Sequence, residues 1–137
     1  MNIDYQNLEQ RVSSLLQDLT RLTFSSELIR EGVRIALREY SAYSGMSETI
    51  SGLDEAERTS VPEDDCGILV LGAAGYIAAA KTIDRQQHFN LQGELPEGVT
   101  SLGSRLLLRF DRLLGTVKSA RSRAADVECW GSGWAFN

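Results

Sequence analysis

Few side chains in this sequence have the type and spacing that chemistry needs. The chain carries one histidine, His88, and two cysteines, Cys66 and Cys129. That inventory is too thin for a His/Cys zinc cage. It also gives no disulfide framework, so an intracellular or assembly setting is the default. No serine or cysteine stands at a recognisable nucleophile spacing from His88, and the histidine reads as a surface or capping group. Asp64 and Asp65 are adjacent acids, and neighbours at a helix start serve the helix dipole more readily than acid/base catalysis. Cys66 reads as a small apolar core residue, and Cys129 as a free thiol near the chain end. No catalytic, cofactor-binding or metal-ligating residue is assigned.

The sharpest motif is ILVLGAAGYIAAA, residues 68–80. Gly72, Gly75 and Ala78 space a G-x-x-G-x-x-A pattern behind a β-branched run, close to a dinucleotide-binding turn. In that alternative a small nucleotide-binding enzyme would cradle a pyrophosphate on backbone amides between Gly72 and Ala78. A Rossmann unit needs a second strand with an acid about twenty residues on. The region at that distance, HFNLQGELPEG, has no β-branched run. The favoured reading is a helix so closely packed that only Gly and Ala fit.

Charge and aromatic placement suggest contact rather than catalysis. Arg30, Arg34 and Arg38 recur at i, i+4, interleaved with Glu27, Glu31 and Glu39, and read as a solvated, partly neutralised face. Arg105, Arg109 and Arg112, followed by Lys118, Arg121 and Arg123, form a stronger basic surface suited to partner contact or to solubility. Both tryptophans, Trp130 and Trp134, fall in the last eight residues, with Phe136 beside them and Gly131 and Gly133 between. Large rings hide large apolar area, so a glycine-broken end that carries three of them is expected to dock. Trp130, Trp134, Phe136, Arg121 and Arg123 are the candidate partner-binding residues.

The elements that must position these groups read as helices. Leu8, Val12, Leu15, Leu16, Leu19 and Leu22 recur at threes and fours over residues 4–22, with Asp4 as N-cap. Ser25 caps a second helix whose stripe is Ile29, Val33, Ala36, Leu37, Tyr40 and Tyr43, and Gly45 ends it. Residues 44–62, rich in Ser, Gly and acid, read as a long loop and contact surface with one helical turn around Leu53–Arg58. Pro62 opens a third helix, followed by Glu63, Asp64 and Asp65 at its positive end. The fifteen uncharged residues 66–80 are too few to span a membrane, which takes about twenty apolar residues, and predict a helix buried on most sides. A fourth helix runs from about 97 to 126 along a seam of Val99, Leu102, Leu106, Phe110, Leu113, Val117, Ala120 and Ala124.

The predicted fold class is therefore all-α: a four-helix bundle with a long C-terminal helix and an extended aromatic tail. Its division is a helical domain over 1–126 and a docking tail over 127–137. At 137 residues the chain is one domain. The N-terminus MNIDYQNLEQ is polar and reads as no signal peptide. A net charge of −5 argues against a protein whose main work is neutralising phosphates. Residues 1–65 carry thirteen acids and six bases, whereas 66–137 carry six acids and eight bases. Such asymmetry suits a head-to-tail ring, in which unlike halves of neighbouring copies meet.

The layout resembles the small head–tail connector (adaptor) proteins of tailed bacteriophages and prophages. The resemblance covers most of residues 4–126. It is carried by the helix order, by SSELIREGVRIALREYSAYS with its "ALREYS" ending, by VLGAAGYIAAAKTIDRQQHFNLQ, and by the arginine-rich final helix. It implies an all-helical, non-enzymatic structural subunit of the virion neck, assembled in the host cytoplasm as a homo-oligomeric ring, usually of twelve subunits, beneath the portal protein. Such a ring continues the DNA channel, passes DNA without sequence-specific binding, joins the head to the next tail or neck component, and uses terminal segments to grip the portal. A regulatory helical module that binds another protein's helix is a further alternative.

Overall fold

A computed structural model describes the backbone of residues 3–89 and 102–119, and the side chains of 3–80 and 102–119. Over these residues the chain is all-α. The helices are α1 (Tyr5–Thr20), α2 (Ser26–Ser44) and α3 (Cys66–Phe89), with a single 3-10 turn at Glu63–Asp65 leading into α3. Residues 102–119 are helical throughout and are called α4. Among the described residues there is no strand, only one isolated parallel bridge between Asp4 and Ser51.

The first two helices start and stop on local chemistry. Asp4 is extended, and its side chain accepts from the Asn7 amide at 2.9 Å, satisfying an otherwise orphaned donor of α1. Ser25 does the same for α2, its Oγ accepting from the Leu28 amide at 3.2 Å. Arg21 closes α1 and Gly45 closes α2, both left-handed, with φ of 58° and 80°. The cap at Gly45 is the less strained of the two because glycine has no Cβ to clash there. Pro62 stands one turn ahead of α3, accepting from the Asp65 amide at 2.9 Å and leaving Glu63, Asp64 and Asp65 in the 3-10 turn.

One core joins all of these elements. α1 contributes Tyr5, Leu8, Val12 and Leu16 at helical spacing; α2 contributes Ile29, Val33, Ala36 and Tyr40; α3 contributes Cys66, Leu69, Val70, Ala73, Ala74 and Ile77. α3 lies against both α1 and α2. It packs tightly on α2 at Gly32, where a Cβ would stand 2.9 Å from the Ile77 side chain. Three stripe assignments change, on α1 and α4. Leu19 is 45% exposed and Leu22 lies beyond the end of α1. On α4 the buried line is Phe110, Leu114 and Val117, with Leu113 only half-buried, because the helix turns its 110–114–117 edge into the common core.

The segment 44–62 departs furthest from the sequence reading. It is irregular, as read, but packed into the bundle, and it contains no helical turn at Leu53–Arg58. Asp54 and Glu55 are both left-handed, at φ of 52° and 66°, which stops a right-handed helix there. Ile50, Leu53 and Val61 are buried in the common core. The backbone is tied down at several points. The Tyr5 amide donates to Ser51 O at 2.8 Å, the Ser60 amide to Thr49 O at 2.9 Å, and Thr59 Oγ1 to Ile3 O. Glu48, 6% exposed, accepts from Ser60 Oγ.

Candidate interaction surfaces

The glycine motif lies in the middle of α3. Amides between Gly72 and Ala78 are thus inside a helix, not at the N-terminal end where a phosphate would meet unpaired donors. The face that lacks side chains is filled by α4. A Cβ on Gly72 would fall 2.6 Å from the Phe110 ring, and one on Gly75 would fall 3.0 Å from Leu107. From the other side, a Cβ on Gly103 would fall 2.8 Å from the Ala79 amide nitrogen. Tyr76 meets Phe110 edge-on, with ring centroids 6.1 Å apart and an interplanar angle of 80°. The G-x-x-G-x-x-A spacing is thus a groove of small residues that lets two helices close to backbone contact.

Two of the three arginines of α2, Arg30 and Arg34, are used within the chain. Arg34 forms a fork on Asp54, its Nε donating to Oδ1 and Oδ2 at 2.8 and 3.0 Å, and it also pairs with Glu31. The guanidinium holds the Asp54 carboxyl below its usual range. Arg34 thereby fixes the left-handed Asp54–Glu55 turn against α2. Arg30 stacks over the Tyr5 ring at 5.1 Å. Arg38 is exposed. The latch joins residues twenty apart and has no sequence period to announce it.

The arginines of α4 are placed differently. Arg105, Arg109 and Arg112 are exposed along the edge opposite the buried 110–114–117 line, and none has an ion pair among the described residues. Leu108, 53% exposed, sits beside them. A leucine outside the packing seam and flanked by arginines was a legible signal that the seam reading passed over. A second charged surface is the turn segment. Asp54, Glu55, Glu57, Glu63 and Asp64 are exposed there, with Arg58 the exposed base among them. Met46, at the segment's start, is 55% exposed.

The remaining candidates separate. Asp65 accepts a hydrogen bond from the buried Tyr40 hydroxyl, a structural role, while Asp64 points to solvent. Cys66 is buried, its thiol donating to Pro62 O at 3.5 Å, and burial pushes its pKa up. His88 lies on α3 within the stretch described by backbone alone. Arg121, Arg123, Cys129, Trp130, Trp134 and Phe136 lie outside the described residues, as does the end of the fourth helix. Among the described residues no group of His, Cys, Asp or Glu could hold a metal ion, and no helix is long and apolar enough to cross a membrane. No family model, curated protein or solved structure matches the chain.

Proposed function

We propose that this chain is a head–tail connector (adaptor) subunit of a tailed bacteriophage or prophage. In this reading it is a four-helix bundle that acts structurally, without turnover, in the neck of the virion. Copies form a ring, of twelve by family habit, below the portal protein. The ring continues the DNA channel and receives the next tail component. The aromatic tail over 127–137, with Trp130, Trp134 and Phe136 approached by Arg121 and Arg123, docks on the portal. Tryptophan and phenylalanine suit such an anchor because each brings large apolar area at little conformational cost.

The observation that carries the reading is the helix order together with its two sequence motifs. "ALREYS" forms the last turns of α2, where Tyr40 is buried and bonded to Asp65. "GAAGY" is the stretch of α3 on which α4 seats. The net negative charge also suits the reading, since a wall that repels phosphate lets a genome slide.

The test is electron microscopy of the purified chain mixed with the portal of its own virion. A collar of density on the portal is the expected result, and a chain that stays monomeric or dimeric beside the portal is a regulatory module instead. Deleting residues 129–137 should leave a cooperative melting transition intact and remove the collar. Loss of that transition would put the tail in the subunit's own core and end the anchoring account.

A further inference from the structure

We propose that the arginine face of α4 docks on the acidic turn segment of a second copy of this chain. The inference rests on the connector reading for the closure of copies into a ring, and it names the two surfaces through which neighbours meet.

The two surfaces are complementary in charge and in apolar content. One carries Arg105, Arg109 and Arg112 beside Leu108; the other carries Glu55, Glu57, Glu63 and Asp64, with Met46 at its start. Among the described residues the exposed large hydrophobics are Leu19, Met46 and Leu108. Two of the three thus sit one on each surface, where an apolar contact would anchor a ring of ion pairs. Within one chain the surfaces do not satisfy each other. α4 is seated on α3 through Gly72 and Gly75, whereas the turn segment is bound to α1 and α2 through Tyr5 and Arg34. Among the described residues the ion pairs are Arg34–Glu31 and Arg34–Asp54, and neither involves α4. Two different, mutually complementary surfaces on one molecule make a heterologous contact, the kind that generates rings when the rotation closes.

Nucleic acid is the rival occupant of the arginine face. Leu108 stands at the edge of that face, beside Arg105 and Arg112, where a phosphate backbone would leave it in water, and a second copy supplies both the acids and a methionine. Asp111, also exposed on α4, lies three residues from Leu108 on the flank away from Arg109.

The test uses the full chain and charge reversal. Self-association is measured by sedimentation at low and high salt. R105E/R109E/R112E and, separately, E55K/E57K should each weaken association by about tenfold or more. Mixing the two variants, or placing all five substitutions in one chain, should restore it to within about threefold of the starting affinity, since each altered face then meets its altered partner. The acids chosen avoid Asp54, which Arg34 holds, and the acids at the start of α3. Leu108→Ser is a second probe that changes no charge and should also weaken association. Thermal melts check that each variant is folded. Failure of the mixture to recover, or a starting protein that stays monomeric in low salt, would overturn the proposal. So would an R105E/R109E/R112E chain that still associates but no longer retains duplex DNA, which would give the face to phosphate. Portal binding is read separately, so a chain that coats portals while its arginine variants still self-associate refutes the surfaces and leaves the connector reading standing.

Discussion

A methyl group added at Gly72 separates two opposed effects. On an exposed helix, Gly→Ala stabilises by about 1 kcal/mol, because alanine loses less backbone freedom on folding. Here the new Cβ would stand 2.6 Å from the Phe110 ring, well inside contact distance. The ring is wholly buried and also packed on Tyr76, so it has nowhere to retreat. Overpacking should win, and Gly72→Ala is expected to lower stability by about 1–3 kcal/mol in denaturant titration. Gly75→Leu should act in the same direction through Leu106 and Leu107. A double-mutant cycle with Phe110→Leu locates the cause. If the two substitutions cost the sum of their separate effects, the clash is not with Phe110. A stabilised Gly72→Ala protein would mean that α4 does not seat on α3 there.

At the scale of elements, the segment 44–62 behaves as part of the core. Ile50 and Leu53 are 1% and 3% exposed, so Ile50→Ala and Leu53→Ala should each cost about 2–5 kcal/mol, as in a helix interior. A loss under about 0.5 kcal/mol at both, the range of surface sites, would return the segment to a free loop. The helices were legible in the sequence because a helix repeats every 3.6 residues and its ends have local chemistry. Asp4, Ser25 and Gly45 each act within three or four positions of themselves. The segment was not legible, because what holds it is non-local and aperiodic. Tyr5 reaches Ser51, Ile3 reaches Thr59, and Arg34 reaches Asp54, with no spacing rule linking them. Its three buried apolar residues alternate with nothing, since turns present side chains in irregular directions. The α4 seam was legible as a helix and ambiguous in register: Leu113 and Leu114 are neighbours, and the structure buries Leu114 while it leaves Leu113 half-buried. Of the surfaces proposed for contact, the arginines were visible as a stripe. Their acidic counterpart depends on how the turn folds.

Across the whole molecule, α1, α2, the turn segment, α3 and α4 share one core, so ionising any buried group strains all of them together. Burial pushes the pKa of Tyr5, Cys66 and Tyr76 above their ordinary values of 10.0, 9.0 and 10.0. The sign follows from linkage. Above those ordinary values the unfolded chain releases protons that the folded chain still holds, so stability is full below them and falls as pH rises toward the folded values. Melting temperature should therefore decline from about pH 9 upward, first through Cys66 and then through the tyrosines. Tyr5→Phe and Tyr76→Phe should flatten the tyrosine part of that decline, and Cys66→Ala its beginning. On the acid side the Arg34–Asp54 latch works the other way. Asp54 titrates below its ordinary 3.8, so its contribution is present above that value and lost as pH falls through the folded one. The latch is solvent-exposed, so its acid effect should be slight and reduced by salt. The alkaline limb, coming from Tyr5 and Cys66 in the core and Tyr76 half-buried against it, should be less sensitive to salt. Equal salt sensitivity on the two limbs, or a melting temperature flat across the alkaline range, would mean that Tyr5 and Cys66 meet water, and the shared core would then be open at α1 and at the start of α3.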